Sequence, residues 1–288
     1  LNYASLCMQG QAGALRGLAR KLIEELRAQI VPDGGHVSRN PGVLIEILAD
    51  LLPLRQLFSA RNLQPPQAIN NAIDRMMPML RFFRHADGNF AQFNGMGPTP
   101  VDLLATVLAY DDARGQPLSN APHSGYQRME AAQTALVLDT GRPPPLGVSQ
   151  EAHAGCLSFE LSWRQHRLVV NCGLPAVNRE TWRQVAREAA AHSTVPVHEQ
   201  SSCLFLEAAP FRRLLGGVPI LAGPRDVRTE RDEHDGAVML RASHDGYAAD
   251  CGIVHTRALR LSADGRALDG EDSFSAAGHG EIPGNDDY

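Results

Sequence analysis

Two stretches gather side chains able to hold an anion and move a proton. In "PDGGHVSRNPGVLIEIL", Pro32 to Leu48, the turn Asp33-Gly34-Gly35 is followed by His36, Ser38, Arg39 and Asn40, just before a proline-started helix. An arginine beside a helix N-terminus makes an anion site, because guanidinium and backbone N–H groups both favour negative charge. A neutral imidazole in the same loop can take a proton. The loop also has a structural use, with Asn40 as N-cap and Pro41 at the first helical position. "RFFRHADGNFAQFNGMG" repeats the mixture with Arg81, Arg84, His85, Asp87 and Asn94.

A third cluster lies at the mouth of a hairpin. "EAHAGCLSFELSWRQHRLVVNCG" places His153 and Cys156 on a backbone loosened by Gly155, and Asn171 and Cys172 follow on the next strand. "AAHST" adds His192. Two histidines with an oxygen or sulfur ligand on neighbouring strands suit zinc. Ala154 and Gly155 are small enough for another group, a loop of the helical part or a metal, to approach His153 closely. Cys156 reads as a small buried hydrophobe, with no activating base near it in sequence. A fourth group, "ASHDGY" with His244, Asp245 and Tyr247, reads as a structural corner, since Asp-Gly is turn chemistry.

The elements that position these groups change character near residue 118. Before it the apolar period is helical. Leu15, Leu18, Leu22 and Leu26 form one stripe, and Leu44, Ile47, Leu48 and Leu51 a second, with Pro53 near its end. Ile69, Ile73, Met76, Met77 and Leu80 form a third, in a helix from about Pro66 to Phe83 that contains Pro78. A fourth helix runs from Thr99, as N-cap, to Tyr110. Serial helix pairs joined by Gly/Pro/Asn loops indicate a helical array or toroid, and loops so related gather at one rim. After "DDARGQPLSNAPHSG" the period becomes two. "TALVLDTG", "CLSFELS", "HRLVVNCG", "SSCLFLEA", "AVMLRASHDG" and "TRALRLSADGRAL" read as short strands of an antiparallel sandwich, with a tight turn at Ala263-Asp264-Gly265-Arg266. The closing "GHGEIPGNDDY" reads as a loop cut short. The expected fold is therefore α+β multidomain, with helical hairpins over 1–117 and a sandwich over 118–288.

Composition narrows the function. The 288 residues are 43% hydrophobic and 20% charged, ordinary globular values, with a net charge of -5 that argues against nucleic acid. Every basic residue except Lys21 is arginine, whose fork suits carboxylate and sulfate. No run of about 18 apolar residues marks a membrane span. Cys7, Cys156, Cys172, Cys203 and Cys251 lack CxxC spacing, so a disulfide framework is not expected, although one bridge is open to them. The chain begins without an initiator methionine and inside an apparent helix, as a piece of a longer protein would.

The ordered set "DGGHVSRNPGVLIEIL", "ADGNFAQFNGMG", "HAGCLSFELS" with "LVVNCG", "AAHST" and "SHDGY" resembles the heparinase II/III-like family of polysaccharide lyases over nearly the whole chain. The resemblance implies a partial (α/α) toroid followed by an antiparallel β-sandwich, with a substrate cleft between them. It implies β-elimination on an acidic, uronate-containing glycan, in the cell envelope or periplasm. That chemistry needs the uronate carboxylate neutralised, the C5 proton removed and the leaving oxygen protonated. His36, Arg39, Asn40 and Asn94 are the residues assigned to catalysis, and Arg84, His85 and Tyr247 to substrate contact. His153, Asn171 and His192 occupy the positions of one structural zinc. Three departures stand out: Val43 where the family's lyases place a tyrosine, Glu151 where they place the first histidine of His-x-His, and Asn171 where they place an aspartate ligand. A non-catalytic glycan-binding or wall-binding member of the same fold is the alternative.

Overall fold

The computed structural model describes residues 2–7, 12–110, 115–175, 180–206 and 217–278. Five helices come first: α1 (Asn2–Cys7), α2 (Ala12–Gln29), α3 (Pro41–Ala60), α4 (Gln67–Phe83) and α5 (Val101–Leu108). Asn40 caps α3 as expected, its Oδ1 accepting from the Gly42 N–H at 2.8 Å. Two expectations fail. Pro53 lies well inside α3, which continues to Ala60. An interior proline costs about 3 kcal/mol, and the burial of Leu51, Leu52, Leu54 and Phe58, at about 1.5–3 kcal/mol each, outweighs it. Thr99 does not cap α5; its hydroxyl instead accepts from the Phe90 N–H at 2.9 Å, and Pro100 holds the cap position.

The remaining elements are mostly antiparallel strands. A five-stranded sheet runs in sequence order through β1 (Asn120–Ala121), β2 (Tyr126–Ala131), β3 (Thr134–Asp139), β4 (Phe159–Trp163) and β5 (His166–Val169). A four-stranded sheet has the order β11 (Leu268–Ala276), β10 (Ile253–Leu261), β9 (Ala237–His244), β8 (Val227–His234). A ribbon pairs β6 (Leu204–Phe205) with β7 (Ile220–Ala222). Among the described residues there are also the short helices α6 (Glu180–Val185) and α7 (Ala248–Cys251) and two single-turn 3-10 helices, Leu146–Val148 and Ala189–Ala191. The turn at Ala263–Arg266 is present, closed by the Gly265 N–H on the Ser262 carbonyl. The closing residues 279–288 lie outside the described residues.

Sheet alternation decides what each face touches. All six residues of β3 are buried. Val137, with Tyr126 of β2, joins the core of the helices; Leu136, Leu138 and Met129 join a second core with Leu240, Ala242, Leu259 and Leu261 of the other sheet. The five-stranded sheet is thus a middle layer, covered on one face by helices and their loops and on the other by strands. The five cysteines are all free. Among the described residues no helix is long and apolar enough to cross a membrane.

Candidate functional site

Both loops picked out by their chemistry start from a one-residue antiparallel bridge, Ile30 to His36 and Arg84 to Phe90, and both end against the middle sheet. Arg39 and Asn94 hold left-handed backbone, at φ 62° and 48°, a conformation that costs energy in non-glycine residues unless the surroundings impose it. The surroundings here are a dense polar network. The Arg39 guanidinium donates to the carbonyls of Ser124 (2.8 Å), Arg142 (3.0 Å) and Gly125 (2.9 Å) and to Asp139 Oδ1 (2.5 Å). Asn94 Nδ2 donates to Asp139 Oδ2 (3.2 Å) and the Tyr126 hydroxyl (2.7 Å), which itself donates to the Arg39 carbonyl (2.6 Å). The chain ends at His153, whose N–H donates to Asn94 Oδ1 and whose Nε2 accepts from the Gly95 N–H. Gly141 must lack a side chain, because its Cβ would occupy the space of the Arg39 guanidinium. Burial lowers the Arg39 pKa, but the Asp139 carboxylate more than compensates, so the guanidinium stays charged.

Arg39 is 9% exposed, Asp139 and Asn94 2%, His153 5%. These values decide the role of the cluster: it is the junction of helix loops and sheet, and the Arg39 and Asn94 side chains donate to protein. The loop of the helical part does approach His153, as the small residues beside it anticipate. Asn40 spends its side-chain oxygen on the helix cap.

His36 is placed differently. Its Nδ1 faces the Ser38 N–H (3.1 Å) and hydroxyl (2.7 Å), so Nδ1 carries the lone pair and Nε2 donates to Gln29 Oε1 (3.2 Å). Burial lowers its pKa, keeping the ring neutral at pH 7. His36 and Arg39 lie at a cavity of about 430 Å³ whose exposed rim carries His123 and Arg142; no carboxylate lines it, and neither does His153.

The residues assigned to substrate contact are scattered. Arg84 is exposed, with Nε donating to the Gly88 carbonyl. His85 is buried, Nδ1 on the Ser162 hydroxyl (2.8 Å) and Nε2 on Glu160 (3.2 Å). Tyr247 is 2% exposed, its hydroxyl donating to the Val195 carbonyl.

His153, Asn171 and His192 do come together, but their atoms do not form a zinc site. The two rings stack, with centroids 4.7 Å apart and planes 28° from parallel, whereas ligand lone pairs lie in the ring plane and must converge. The lone pair of His153 Nε2 is taken by Gly95, which leaves a protonated Nδ1 without a partner. Asn171 accepts the Ser193 N–H on Oδ1 (3.1 Å) and leaves Nδ2 unpartnered; an amide nitrogen is no metal ligand. No other His, Cys, Asp or Glu completes a group of three among the described residues. Purified protein is therefore expected to carry substoichiometric zinc and to keep its Tm after chelator treatment. A stoichiometric metal whose removal lowers Tm would be the contrary result.

The other departures from the lyases also have counterparts. Val43 leaves its half-buried position without a phenol. Glu151 forms an ion pair with Arg183 of α6.

Several partners were not picked out in sequence. Asp139 is the key one; its only local signal is a carboxylate ending an apolar strand before Thr-Gly. Glu160, fully buried, accepts from Arg167, from the Gln92 and Asn171 N–H groups and contacts His85. Arg187, 1% exposed, donates to the carbonyls of Ala152, Ser149 and Val218 and so fixes the segment bearing His153; burial lowers its pKa to about 10. In the second sheet the Gly246 N–H donates to His244 Nδ1, His244 Nε2 meets His255 Nδ1 (3.3 Å), and His255 Nε2 meets Asp272 (2.7 Å).

Residues 113–283 match a family model described as Heparinase II/III-like, C-terminal. The chain is 35% identical over 257 residues to FtsZ-localized protein C of Caulobacter vibrioides (strain NA1000 / CB15N), covering 89% of this chain and 44% of that protein. Its fold is similar to that of the Heparinase III-BT4657 gene product, at a TM-score of 0.70 and 16% identity, over 99% of this chain and 47% of that one. It is similar also to heparan sulfate lyase HepC from Pedobacter heparinus, at 0.66 and 16%, over 91% and 42%. The chain spans less than half the length of these proteins, and the 16% identities to the two solved structures speak for the fold alone.

Proposed function

The chain belongs to the heparinase II/III-like family, and from that membership we propose that it is part of a polysaccharide-lyase-like protein that binds an acidic, uronate-bearing glycan. On this reading residues 1–117 are the last hairpins of an (α/α) toroid and 118–288 an antiparallel β-sandwich. The observation that carries the proposal is the cavity of about 430 Å³ between the His36 loop and the sheet loops. Its ionic side chains are arginines, and the exposed fork of Arg142 is free to meet a carboxylate. A buried cation behind it, Arg39, adds to the positive potential, although Asp139 cancels much of it.

Binding is the activity assigned to this stretch. The C5 proton of a uronate needs a base with an open lone pair. His36 gives its lone pair to Ser38, His153 gives its own to Gly95, and position 43 has no phenol. Cleavage by the intact protein would need a base other than these. We place the intact protein at the cell envelope, where such a glycan is found; the relative named for FtsZ localisation turns the proposal toward the division site.

The test is affinity electrophoresis of the intact protein in gels containing polyuronate, run beside an assay for the absorbance of unsaturated uronate. Retardation that fades with salt, and that Arg142→Ala reduces by roughly fivefold in affinity, is expected without absorbance. Migration indifferent to polyuronate, or identical in R142A, would sink the proposal. Growth of the unsaturated-uronate signal would instead favour cleavage.

A further inference from the structure

The turn between β1 and β2, residues 122–125, is gripped from two sides. Its carbonyls at Ser124 and Gly125 accept from the Arg39 guanidinium, which also takes the Arg142 carbonyl. Its N–H groups at His123 and Ser124 donate to Asp33 Oδ2, each at 2.8 Å, and the Ser124 hydroxyl reaches the same oxygen at 3.2 Å. Asp33 Oδ1 accepts from the Gly35 N–H (3.1 Å), within the turn that opens the His36 loop. A cation on the carbonyls and a carboxylate on the N–H groups hold the peptide units of this turn in one orientation, through charge-assisted hydrogen bonds. The stretch Asp33-Gly34-Gly35 thus does more than reverse the chain: it ties the helical loop to the sheet.

Close backbone contacts leave the clamp little play. A Cβ on Gly35 would lie 2.5 Å from Ser124 Cβ, and one on Gly125 would lie 2.4 Å from Gly141 Cα. The second contact brings His123, two residues before Gly125, toward the strand end that carries Arg142, one residue after Gly141. Both residues are exposed at the cavity of about 430 Å³. Among the described residues neither side chain spends its polar atoms on a hydrogen bond or ion pair.

Resting on the uronate reading of that cavity, we propose that His123 is the residue that selects a sugar acid over other polyanions, and that Asp33 positions it. A guanidinium fork takes a carboxylate whether a sugar or a peptide carries it. A uronate also has ring hydroxyls, which donate and accept, and a neutral imidazole offers one donor and one acceptor to meet them. The backbone under both rim groups is already held, so less order is lost when a ligand presents acid and hydroxyl together.

Affinity electrophoresis of the intact protein in polygalacturonate gels and in polyglutamate gels tests this. Both polymers carry carboxylates, and only the first carries ring hydroxyls. His123→Ala, at an exposed side chain, should weaken polygalacturonate binding roughly threefold to tenfold, the worth of one hydrogen bond, and polyglutamate binding less than about twofold. Arg142→Ala should weaken both. Asp33→Ala should weaken polygalacturonate binding, with no further loss when placed in the H123A background; a loss through general destabilisation would instead add. Retention by the native protein that H123A leaves unchanged, or reduces equally for the two polymers, would overturn the proposal while the uronate reading stands, as would additive losses in the double variant. No retention of the native protein in polygalacturonate would sink both.

Discussion

Asp139→Ala is expected to destabilise the protein by about 3–5 kcal/mol, the loss usual when one partner of a buried ion pair is removed. Arg39 would remain charged and enclosed, with three carbonyls but no counter-ion. Asn94 would lose one acceptor, and the left-handed backbone at Arg39 and Asn94 would lose part of what imposes it. Urea denaturation reads the effect as a fall in the midpoint at little changed slope. Asp139→Asn should cost less, since the amide oxygen can still accept. A midpoint shift worth less than about 1 kcal/mol for the alanine variant would show that the network is not the junction described above.

Acidification is the second large effect. Burial holds the His192 pKa at about 4, the His244 pKa at about 3 and that of His153 well below its ordinary value. In the unfolded chain each titrates near 6.5. Above pH 6.5 neither state binds these protons and stability is full. Between 6.5 and about 4 the unfolded chain takes up protons that the native rings refuse, so stability falls with pH. For His192 alone the loss is on the order of 3 kcal/mol. Carboxylates such as Asp272, held low against desolvation by His255 and Arg257, add their own loss only below about pH 4. Tm measured from pH 7.5 to 4.5 should drop steeply, and His192→Gln should flatten the drop. A Tm constant across that range would contradict the neutral-imidazole account.

The succession of helices and then strands was legible because both periods are carried by apolar residues: Ile69, Ile73, Met76 and Leu80 on α4, and the run "TALVLD" in β3. Strands β8 and β11 were not legible. Their side chains are mostly exposed and their sequences, "VRTERDEH" and "LDGEDSFSA", show no apolar alternation. Pairing with β9 and β10 makes them strands, and that is a tertiary fact. Pro53 misled for a related reason, since propensity is local and the burial that overrides it is not.

The candidate site was half legible. Loop chemistry drew attention to Arg39, Asn94 and His153, which the structure joins through Asp139 in one hydrogen-bonded chain, yet gave no sign of whether those groups faced water or each other. Arg39 and Asp139 are 100 residues apart, Asn94 and His153 59, and no spacing rule reaches that far. Polarity in a sequence reads the same for a wet cleft as for a fully satisfied buried network. Only the count of filled donors separates them.

Because β3 is covered on both sides, neither of its faces can drift. Substitutions over Thr134–Asp139 should be purged whichever way the side chain points, whereas β11, nine residues long and almost wholly in solvent, should accept most polar replacements. Among distant descendants of this chain, the six-residue stretch would then act as a fossil by which they can still be recognised after the outer strand has become unrecognisable.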